Sequence, residues 1–243
     1  MIQLFPHQKE SLEKTKDFSR VAYYLDMGLG KTFVGSEKAN IFPQKILLVC
    51  QKSKIEDWME HFQKFYPLTV FNLRNKKQLE EFISAIGKCV GIINYDLLFL
   101  RPCFQALSGF TLMLDESSLI SNETAKRSKF ILSMRPENVI LLSGTPTAGK
   151  YEKLWSQCRL LGWRISKETF WKSYVNTDWI DTGSGFKKEV VTGYKNVEHL
   201  KKKLANHGCI FMKTEEVLDL PKQIEQKLYV QATKDYQYFM KNS

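Results

Sequence analysis

Five short apolar runs occur along the sequence, and helix-length segments separate most of them. Polar or turn-forming residues bound each run, which is typical of a strand buried on both faces of a sheet. The runs cover residues 21–25, 46–50, 90–93, 110–114 and 139–142. Strands that alternate with helices predict an α/β fold with a doubly wound parallel sheet.

Helices are predicted between these runs, over residues 31–40, 53–65 and 75–86. Ser53 stands at the start of the second helix, and Glu56 follows three residues later. This spacing predicts a capping box, in which each side chain bonds to the backbone near the other residue.

The pattern changes after residue 142, where aromatic-rich helical segments and a hairpin replace the apolar runs. Helices are predicted over 153–161, 167–174 and 197–206, and a hairpin with a D-T-G-S-G turn over 179–192. We interpret residues 150–210 as a small helical and hairpin insertion within one domain over residues 1–220. Residues 221–243 begin with a proline and are predicted to form a linker into a further domain.

Composition restricts the class of protein further. The net charge is +10, from 36 Lys and Arg against 26 Asp and Glu, which favours polyanionic partners. No apolar stretch reaches the length of a membrane span, and the first residues do not resemble a secretory signal, so we expect no membrane association. The five cysteines include no C-x-x-C pair, which argues against zinc and favours a reducing, cytoplasmic location.

The sequence D-M-G-L-G-K-T, residues 26–32, lies between a predicted strand and a predicted helix. We call it the phosphate loop, because glycines let backbone amides approach phosphate oxygens and the helix N-terminus adds positive charge. Lys31 is predicted to reach the β- and γ-phosphates, and the Thr32 hydroxyl to bind Mg²⁺. The alternative is a helix-capping turn, since Leu25 stands where the strict pattern requires glycine. The predicted nucleotide-binding residues here are Asp26, Met27, Gly28, Leu29, Gly30, Lys31 and Thr32.

Asp115 and Glu116 begin the acidic motif D-E-S-S, residues 115–118, directly after an apolar run. The carboxyl end of a strand in an open α/β sheet is where ligands bind. Asp115 is therefore predicted to bind Mg²⁺, and Glu116 to orient the attacking water. Together with Lys31 they form the predicted catalytic set for phosphoryl transfer. The alternative for an isolated Asp-Glu pair is a solvated turn.

The S-G-T-P sequence, residues 143–146, follows the last apolar run, and we call it the SGTP loop. Ser143, Gly144 and Thr145 are predicted to sense the γ-phosphate and to pass its state to neighbouring loops. The alternative is an ordinary exit from a strand into a turn.

These three motifs, in this order, resemble those of helicase superfamily two, and the wider set is similar to its Swi/Snf-type translocases. The resemblance implies the first RecA-like lobe of a P-loop NTPase that uses ATP and Mg²⁺ and moves along duplex DNA. In the segment L-F-P-H-Q, Gln8 resembles the family's adenine-reading glutamine. Three departures stand out: Leu25-Asp26 replaces Asp-Glu, Gln51 replaces a proline, and Ser118 replaces a histidine.

Two further segments resemble family motifs that line the DNA path. One is V-C-Q-K-S, residues 49–53, followed by Trp58, and the other is N-Y-D, residues 94–96. By this resemblance the predicted nucleic-acid contacts are Lys52, Ser53, Asn94 and Tyr95. Residues 212–222 resemble the end of the family's first lobe, and residues 229–239 resemble the entry into its second.

The resemblance also implies partners and limits. The family's second lobe carries arginine fingers, so we expect this lobe alone to be a weakly active, monomeric ATP hydrolase. The reduced motif set resembles viral or bacterial members. Three alternatives remain open: an RNA helicase lobe, a non-catalytic adaptor that keeps the ATPase fold, and a small-molecule kinase.

Overall fold

The computed structural model of the chain describes residues 3–147, 149–181 and 187–217. In this part of the chain, seven parallel strands form one sheet, and two antiparallel strands form a separate hairpin. The sheet contains β1 (Arg20–Leu25), β2 (Lys45–Cys50), β3 (Thr69–Asn72), β4 (Cys89–Asn94), β5 (Phe110–Asp115) and β6 (Asn138–Leu142); the hairpin pairs β7 (Val175–Asp181) with β8 (Lys187–Tyr194), and β9 (Cys209–Met212) completes the sheet. The order β3-β4-β2-β5-β6-β1-β9 places β5, β6 and β1 side by side.

Helices connect the strands and cover both faces of the sheet. They are α1 (Pro6–Lys14), α2 (Lys31–Ile41), α3 (Ile55–Phe65), α4 (Lys76–Ser84), α5 (Tyr95–Leu98), α6 (Lys126–Ser133), α7 (Trp155–Leu160), α8 (Lys167–Tyr174) and α9 (Val197–Ala205). Successive residues of β1 face opposite sides, so Val21 and Tyr23 pack with α2 and α3. Ala22 and Tyr24 face the other side of the sheet, where they belong to a separate apolar core formed with α4 and with α6 to α9. The doubly wound parallel fold is therefore confirmed.

All five predicted strands are present, but the sequence interpretation missed β3 and β9. Because β9 starts at Cys209 and pairs with β1, the predicted insertion over 150–210 overlaps the central sheet by two residues. The predicted hairpin is present and starts earlier, at Val175. Its turn, residues 182–185, lies outside the described residues, as do the predicted linker over 221–243 and the boundary at 220.

The capping box predicted at Ser53 is wrong. Residues 52–54 form a short 3-10 helix, and α3 begins at Ile55 with no side-chain cap. Asn75, by contrast, caps α4, because its side chain accepts hydrogen bonds from the backbone amides of Lys77 and Gln78. The 3-10 turn leaves the Ser53 side chain exposed beyond the end of β2.

Candidate functional site

Three neighbouring strands, β1, β5 and β6, carry the phosphate loop, the acidic motif and the SGTP loop at their carboxyl ends. Because the strands are parallel, the three motifs meet at one edge of the sheet. Open α/β sheets bind ligands at such an edge. The separate sequence motifs therefore form one candidate site.

The phosphate loop depends on two glycines with left-handed backbone. Gly28 has φ of +88° and Gly30 has φ of +73°, and α2 begins immediately afterwards at Lys31. A Cβ atom on Gly30 would lie 2.1 Å from the Gln8 amide nitrogen, so no larger residue fits there without displacing Gln8. This arrangement fits a loop whose amides must approach an anion closely.

Gln8 lies against the phosphate loop, with only 3% of its surface exposed. Its Nε2 donates to the Leu29 carbonyl at 3.2 Å, and its Oε1 accepts from the Phe5 amide at 3.0 Å. Both ends of the side chain are thus engaged with the backbone. In this state Gln8 supports the loop, and its contact with adenine stays a prediction.

Lys31 extends from the start of α2 towards the end of β1. Its Nζ donates to the carbonyls of Leu25 at 2.8 Å and Asp26 at 3.2 Å. A Cβ atom on Gly144 would lie 3.3 Å from this Nζ, so the ammonium group also lies beside the SGTP loop. The two carbonyls hold the cation at the mouth of the phosphate loop.

The ammonium group of Lys31 lies in the field of the acidic motif. Burial lowers its pKa. The carboxylates of Glu116, Asp115 and Asp26 oppose that shift by their negative charge, in that order of strength. The predicted catalytic lysine and the predicted catalytic carboxylates are therefore close enough to interact.

Asp115 is held by two residues from neighbouring connections. The Trp58 indole Nε1 donates to Asp115 Oδ2 at 2.8 Å, and the Tyr95 hydroxyl donates to the Asp115 carbonyl at 2.8 Å. Burial raises the pKa of the Asp115 carboxyl, and the Trp58 hydrogen bond opposes this. The geometry fixes both the side chain and the backbone of the predicted Mg²⁺ ligand.

Glu116 has left-handed backbone, with φ of +53°, which is uncommon outside glycine and is often found at functional sites. Its Oε2 accepts a hydrogen bond from the Ser143 hydroxyl at 3.3 Å. The Ser143 oxygen in turn accepts from the Thr145 amide at 3.2 Å. Of the predicted coupling residues, Ser143 therefore contacts the predicted water-orienting carboxylate directly, and Thr145 contacts Ser143.

The oxygen atoms at this site fit Mg²⁺. Mg²⁺ prefers oxygen ligands and commonly takes one or two from protein, the rest from phosphates and water. Asp115, at the end of β5, and Thr32, in the first turn of α2, have side-chain oxygens of this kind, and their joint binding of Mg²⁺ stays a prediction. The described residues contain no cluster of three or more His, Cys, Asp or Glu side chains that could form an all-protein metal site.

The four predicted nucleic-acid contacts divide into two groups. Lys52 and Ser53 are exposed after β2. Asn94 and Tyr95 are buried, with 8% and 2% of their surfaces exposed, and the Tyr95 hydroxyl is bonded to the acidic motif. Tyr95 is therefore inside the lobe, where its hydroxyl contacts the Asp115 carbonyl instead of solvent.

Asp26 of the phosphate loop has a partner that the sequence interpretation did not identify. Its Oδ2 accepts a hydrogen bond from the backbone amide of Thr214 at 3.1 Å, and its own amide donates to the Met212 carbonyl at 3.1 Å. The segment after β9 is therefore attached to the phosphate loop. No local pattern could reveal this, because the two segments are distant in sequence.

A sequence profile described as "SNF2-related domain" matches residues 7–242, nearly the whole chain. The chain belongs to this family. The recognition made from the motifs is thereby confirmed.

Several relatives of this SNF2-related chain are large chromatin and DNA-repair proteins. A Caenorhabditis elegans homolog of SWI/SNF-related matrix-associated actin-dependent regulator of chromatin subfamily A-like protein 1 is 28% identical over 175 residues, covering 67% of this chain and 25% of the relative. Mouse SWI/SNF-related matrix-associated actin-dependent regulator of chromatin subfamily A member 1 is 26% identical over 223 residues, covering 86% of this chain and 20% of the relative. Human DNA repair and recombination protein RAD54B is 31% identical over 137 residues, covering 50% of this chain and 15% of the relative. The chain thus spans a quarter or less of these relatives.

A solved structure, the Sulfolobus solfataricus SWI2/SNF2 ATPase core in complex with dsDNA, has the same fold. It superposes with a TM-score of 0.69 at 20% identity, covering 99% of this chain and 52% of that chain. The RecA-like fold of the SNF2-related chain is therefore confirmed. Among the described residues, no helix combines the length and the apolar character needed to cross a bilayer.

His61 of the SNF2-related chain connects α2 to the residue that holds Asp115. Its Nε2 lies 2.9 Å from the Ser36 hydroxyl oxygen, and its ring packs edge-on against Phe33 and Trp58. Burial lowers the pKa of His61 to about 4. The folded lobe therefore contains neutral His61 at neutral pH.

We expect the free energy of unfolding to fall as the pH is lowered from about 6.5 to about 4. The unfolded chain binds a proton at the ordinary histidine pKa, whereas folded His61 resists protonation until the pH approaches 4. The loss in free energy of unfolding that we assign to His61 is about 2 kcal/mol.

Urea unfolding of wild type and His61→Phe between pH 7 and pH 4.5 measures this loss. The free energy of unfolding of the variant should depend less on pH than that of wild type. Ser36 keeps a partner in the variant, the Thr32 carbonyl. Parallel profiles would contradict the expectation.

Proposed function

We propose that this chain is the ATP-binding lobe of a DNA-dependent ATPase that translocates on, or remodels, duplex DNA. One observation supports this most strongly. Lys31, Asp115 and Glu116 meet at the carboxyl edge of three adjacent strands, in a member of the SNF2-related family. Such a set suits phosphoryl transfer, which needs positioning and charge neutralisation more than covalent chemistry.

In this proposal each residue of the site has one task. Lys31 leaves its two carbonyl partners to bind the β- and γ-phosphates, and the amides of Gly28 and Gly30 bind their oxygens. Thr32 and Asp115 would hold Mg²⁺, which would neutralise phosphate charge when bound. Glu116 accepts a hydrogen bond from the attacking water and orients it.

The proposed DNA side of the lobe is connected to this site by hydrogen bonds. Trp58 lies on α3, just after the exposed Lys52 and Ser53, and Tyr95 directly follows β4. Both bond to Asp115. DNA that binds the connection after β2 would shift α3 and, through Trp58, the Asp115 carboxylate. We propose this as the route by which DNA alters the Mg²⁺ site. Lys52 and Ser53 would contact DNA phosphates, and the buried Tyr95 would support Asp115 from inside the lobe.

The second part of the proposal concerns a further lobe. The chain spans about half of the SWI2/SNF2 core structure and a quarter or less of its relatives. A second RecA-like lobe that supplies arginines to the γ-phosphate would raise the rate by about a thousandfold or more. We therefore propose that this lobe alone binds ATP weakly and hydrolyses it slowly. The RNA helicase alternative is not favoured, since the descriptions of the relatives refer to chromatin and DNA.

Binding of labelled nucleic acids, measured by anisotropy, tests the DNA part of this proposal. Duplex DNA should bind without sequence preference and more tightly than single-stranded RNA of equal length. Affinity should fall steeply between about 50 and about 200 mM salt, because phosphate contacts release counterions. Lys52→Ala should weaken binding and reduce the salt slope by about one phosphate contact.

Lys9→Ala serves as the matched control, because Lys9 is exposed on α1, which leads into β1, and β5 and β6 separate β1 from β2 in the sheet. It should leave the affinity for duplex DNA unchanged. Tighter binding of single-stranded RNA, or equal effects of the two lysine variants, would refute the proposed DNA side.

A further inference from the structure

We infer that Gln157 is a positioning residue that joins β1, the acidic motif and the SGTP loop at the ATP site, and fixes Glu116 relative to the SGTP loop. Gln157 lies on α7 and is fully buried. The inference rests on the proposed ATPase function, and it assigns to α7 a part in setting the rate of hydrolysis.

Three hydrogen bonds hold the Gln157 side chain. Its Oε1 accepts from the Tyr24 hydroxyl at 2.9 Å and from the Ser117 hydroxyl at 2.8 Å. Its Nε2 donates to the Pro146 carbonyl at 3.1 Å. A single amide therefore contacts β1, the acidic motif and the SGTP loop.

The chemistry of the partners fixes the orientation of this amide. The Pro146 carbonyl can only accept a hydrogen bond, so the NH₂ group of Gln157 must face it. The amide oxygen then faces Tyr24 and Ser117, and both hydroxyls must donate to it. Only one orientation of the Gln157 amide satisfies all three hydrogen bonds. The amide therefore holds the acidic motif at a defined distance from the SGTP loop.

Each partner of Gln157 adjoins a residue of the proposed mechanism. Tyr24 precedes the carbonyl of Leu25 that accepts from Lys31. Ser117 directly follows Glu116, which has left-handed backbone. Pro146 ends the loop in which Ser143 donates to Glu116. Displacement of the amide would therefore change the placement of the water-orienting carboxylate.

A buried amide also contributes to stability, and a test must separate that effect from positioning. Gln157→Leu alone leaves the Tyr24 and Ser117 hydroxyls unpaired in the core, which is strongly destabilising. The triple variant Tyr24→Phe, Ser117→Ala, Gln157→Leu removes all these polar groups together. Replacing both partners of a buried hydrogen bond with apolar groups of similar shape is close to neutral for stability. The remaining cost comes from the half-buried Pro146 carbonyl, which loses its hydrogen bond from Gln157 Nε2.

The experiment compares the triple variant with wild type in thermal unfolding, ADP affinity, single-turnover ATP hydrolysis and affinity for Mg²⁺·ADP with aluminium fluoride. We expect Tm and ADP affinity near wild type, with hydrolysis and affinity for the transition-state analogue each lower by about tenfold or more. Ser156→Ala is the matched control. Ser156 is buried beside Gln157 on α7, and its hydroxyl has no partner among the described residues, so all four quantities should stay unchanged.

The outcomes separate the inference from the function on which it rests. Wild-type rates and analogue affinity in a well-folded triple variant would overturn the positioning role. If the triple variant does not fold, Ser117→Ala alone provides the second measurement, because it removes one contact and leaves Gln157 bonded to Tyr24 and Pro146; unchanged analogue affinity there would also overturn it. Absence of nucleotide binding by wild type would instead refute the proposed function.

Discussion

Lys31→Ala should reduce the affinity of the chain for Mg²⁺·ATP by about a hundredfold, equivalent to about 3 kcal/mol. The wild-type ammonium group is already at the mouth of the phosphate loop, bonded to the carbonyls of Leu25 and Asp26. Transfer from these neutral acceptors to a triphosphate gives the ammonium group acceptors that carry full negative charge, which bind it more strongly. Alanine removes the donor, together with the positive charge that interacts with Asp115 and Glu116 beside the phosphates.

Titration with a fluorescent ATP analogue measures this affinity, and circular dichroism verifies that the variant is folded. Lys203→Ala is a matched control, since Lys203 is exposed on α9. Lys31→Arg should recover little, because a planar guanidinium does not fit the space of a compact ammonium between the phosphate loop and Gly144. Equal affinities of wild type and Lys31→Ala would exclude the phosphate loop as the nucleotide site.

The strands that the sequence reveals are those buried on both faces. Burial of β2 and β5 requires continuous apolar residues, and those runs are visible in the sequence. The two missed strands, β3 and β9, lie at the edges of the sheet, where several residues are partly exposed. An edge strand needs no continuous apolar run, so T-V-F-N over residues 69–72 resembles a loop. Its strand character depends on pairing with β4, which no local pattern contains.

The candidate ATP site divides in the same way. The turn and helix start of the phosphate loop could be predicted because its glycines, Lys31 and Thr32 are adjacent in sequence, whereas its binding of phosphate stays a prediction. The contact between Trp58 and Asp115 spans 57 residues, and that between Ser117 and Gln157 spans 40. Such pairs follow from the packing of α3 and α7 on the sheet. Gln157 looks like one polar residue in an amphipathic helix until its three partners are known.

Tyr95 shows how a resemblance can identify a residue but not its contacts. The motif implies a loop on the DNA side, and the loop does follow β4. The tyrosine ring, however, is apolar enough to be buried, and its hydroxyl then needs a partner inside the lobe. The Asp115 carbonyl supplies that partner. Burial therefore changes the proposed role of Tyr95 from contact with DNA to support of Asp115, the proposed Mg²⁺ ligand.

Glu116→Gln should lower the rate of ATP hydrolysis by about a hundredfold to a thousandfold and leave ATP affinity within about twofold of wild type. Glutamine has nearly the same shape, and its amide oxygen can still accept the hydrogen bond from Ser143. It lacks the negative charge that orients and polarises the attacking water. Because Lys31, Thr32 and Asp115 are unchanged, nucleotide and Mg²⁺ should bind as before.

Single-turnover hydrolysis with protein in excess measures this rate, and the same measurement with duplex DNA present shows whether stimulation survives. Glu123→Gln is the matched control, because Glu123 is a carboxylate seven residues further along the chain that is paired with Lys167 and forms no hydrogen bond or ion pair with the acidic motif among the described residues. It should hydrolyse ATP at the wild-type rate. Undiminished hydrolysis by Glu116→Gln would mean that another group orients the water. Loss of hydrolysis together with loss of binding would mean that Glu116 holds the nucleotide, since a residue that acts only on the water changes the rate alone.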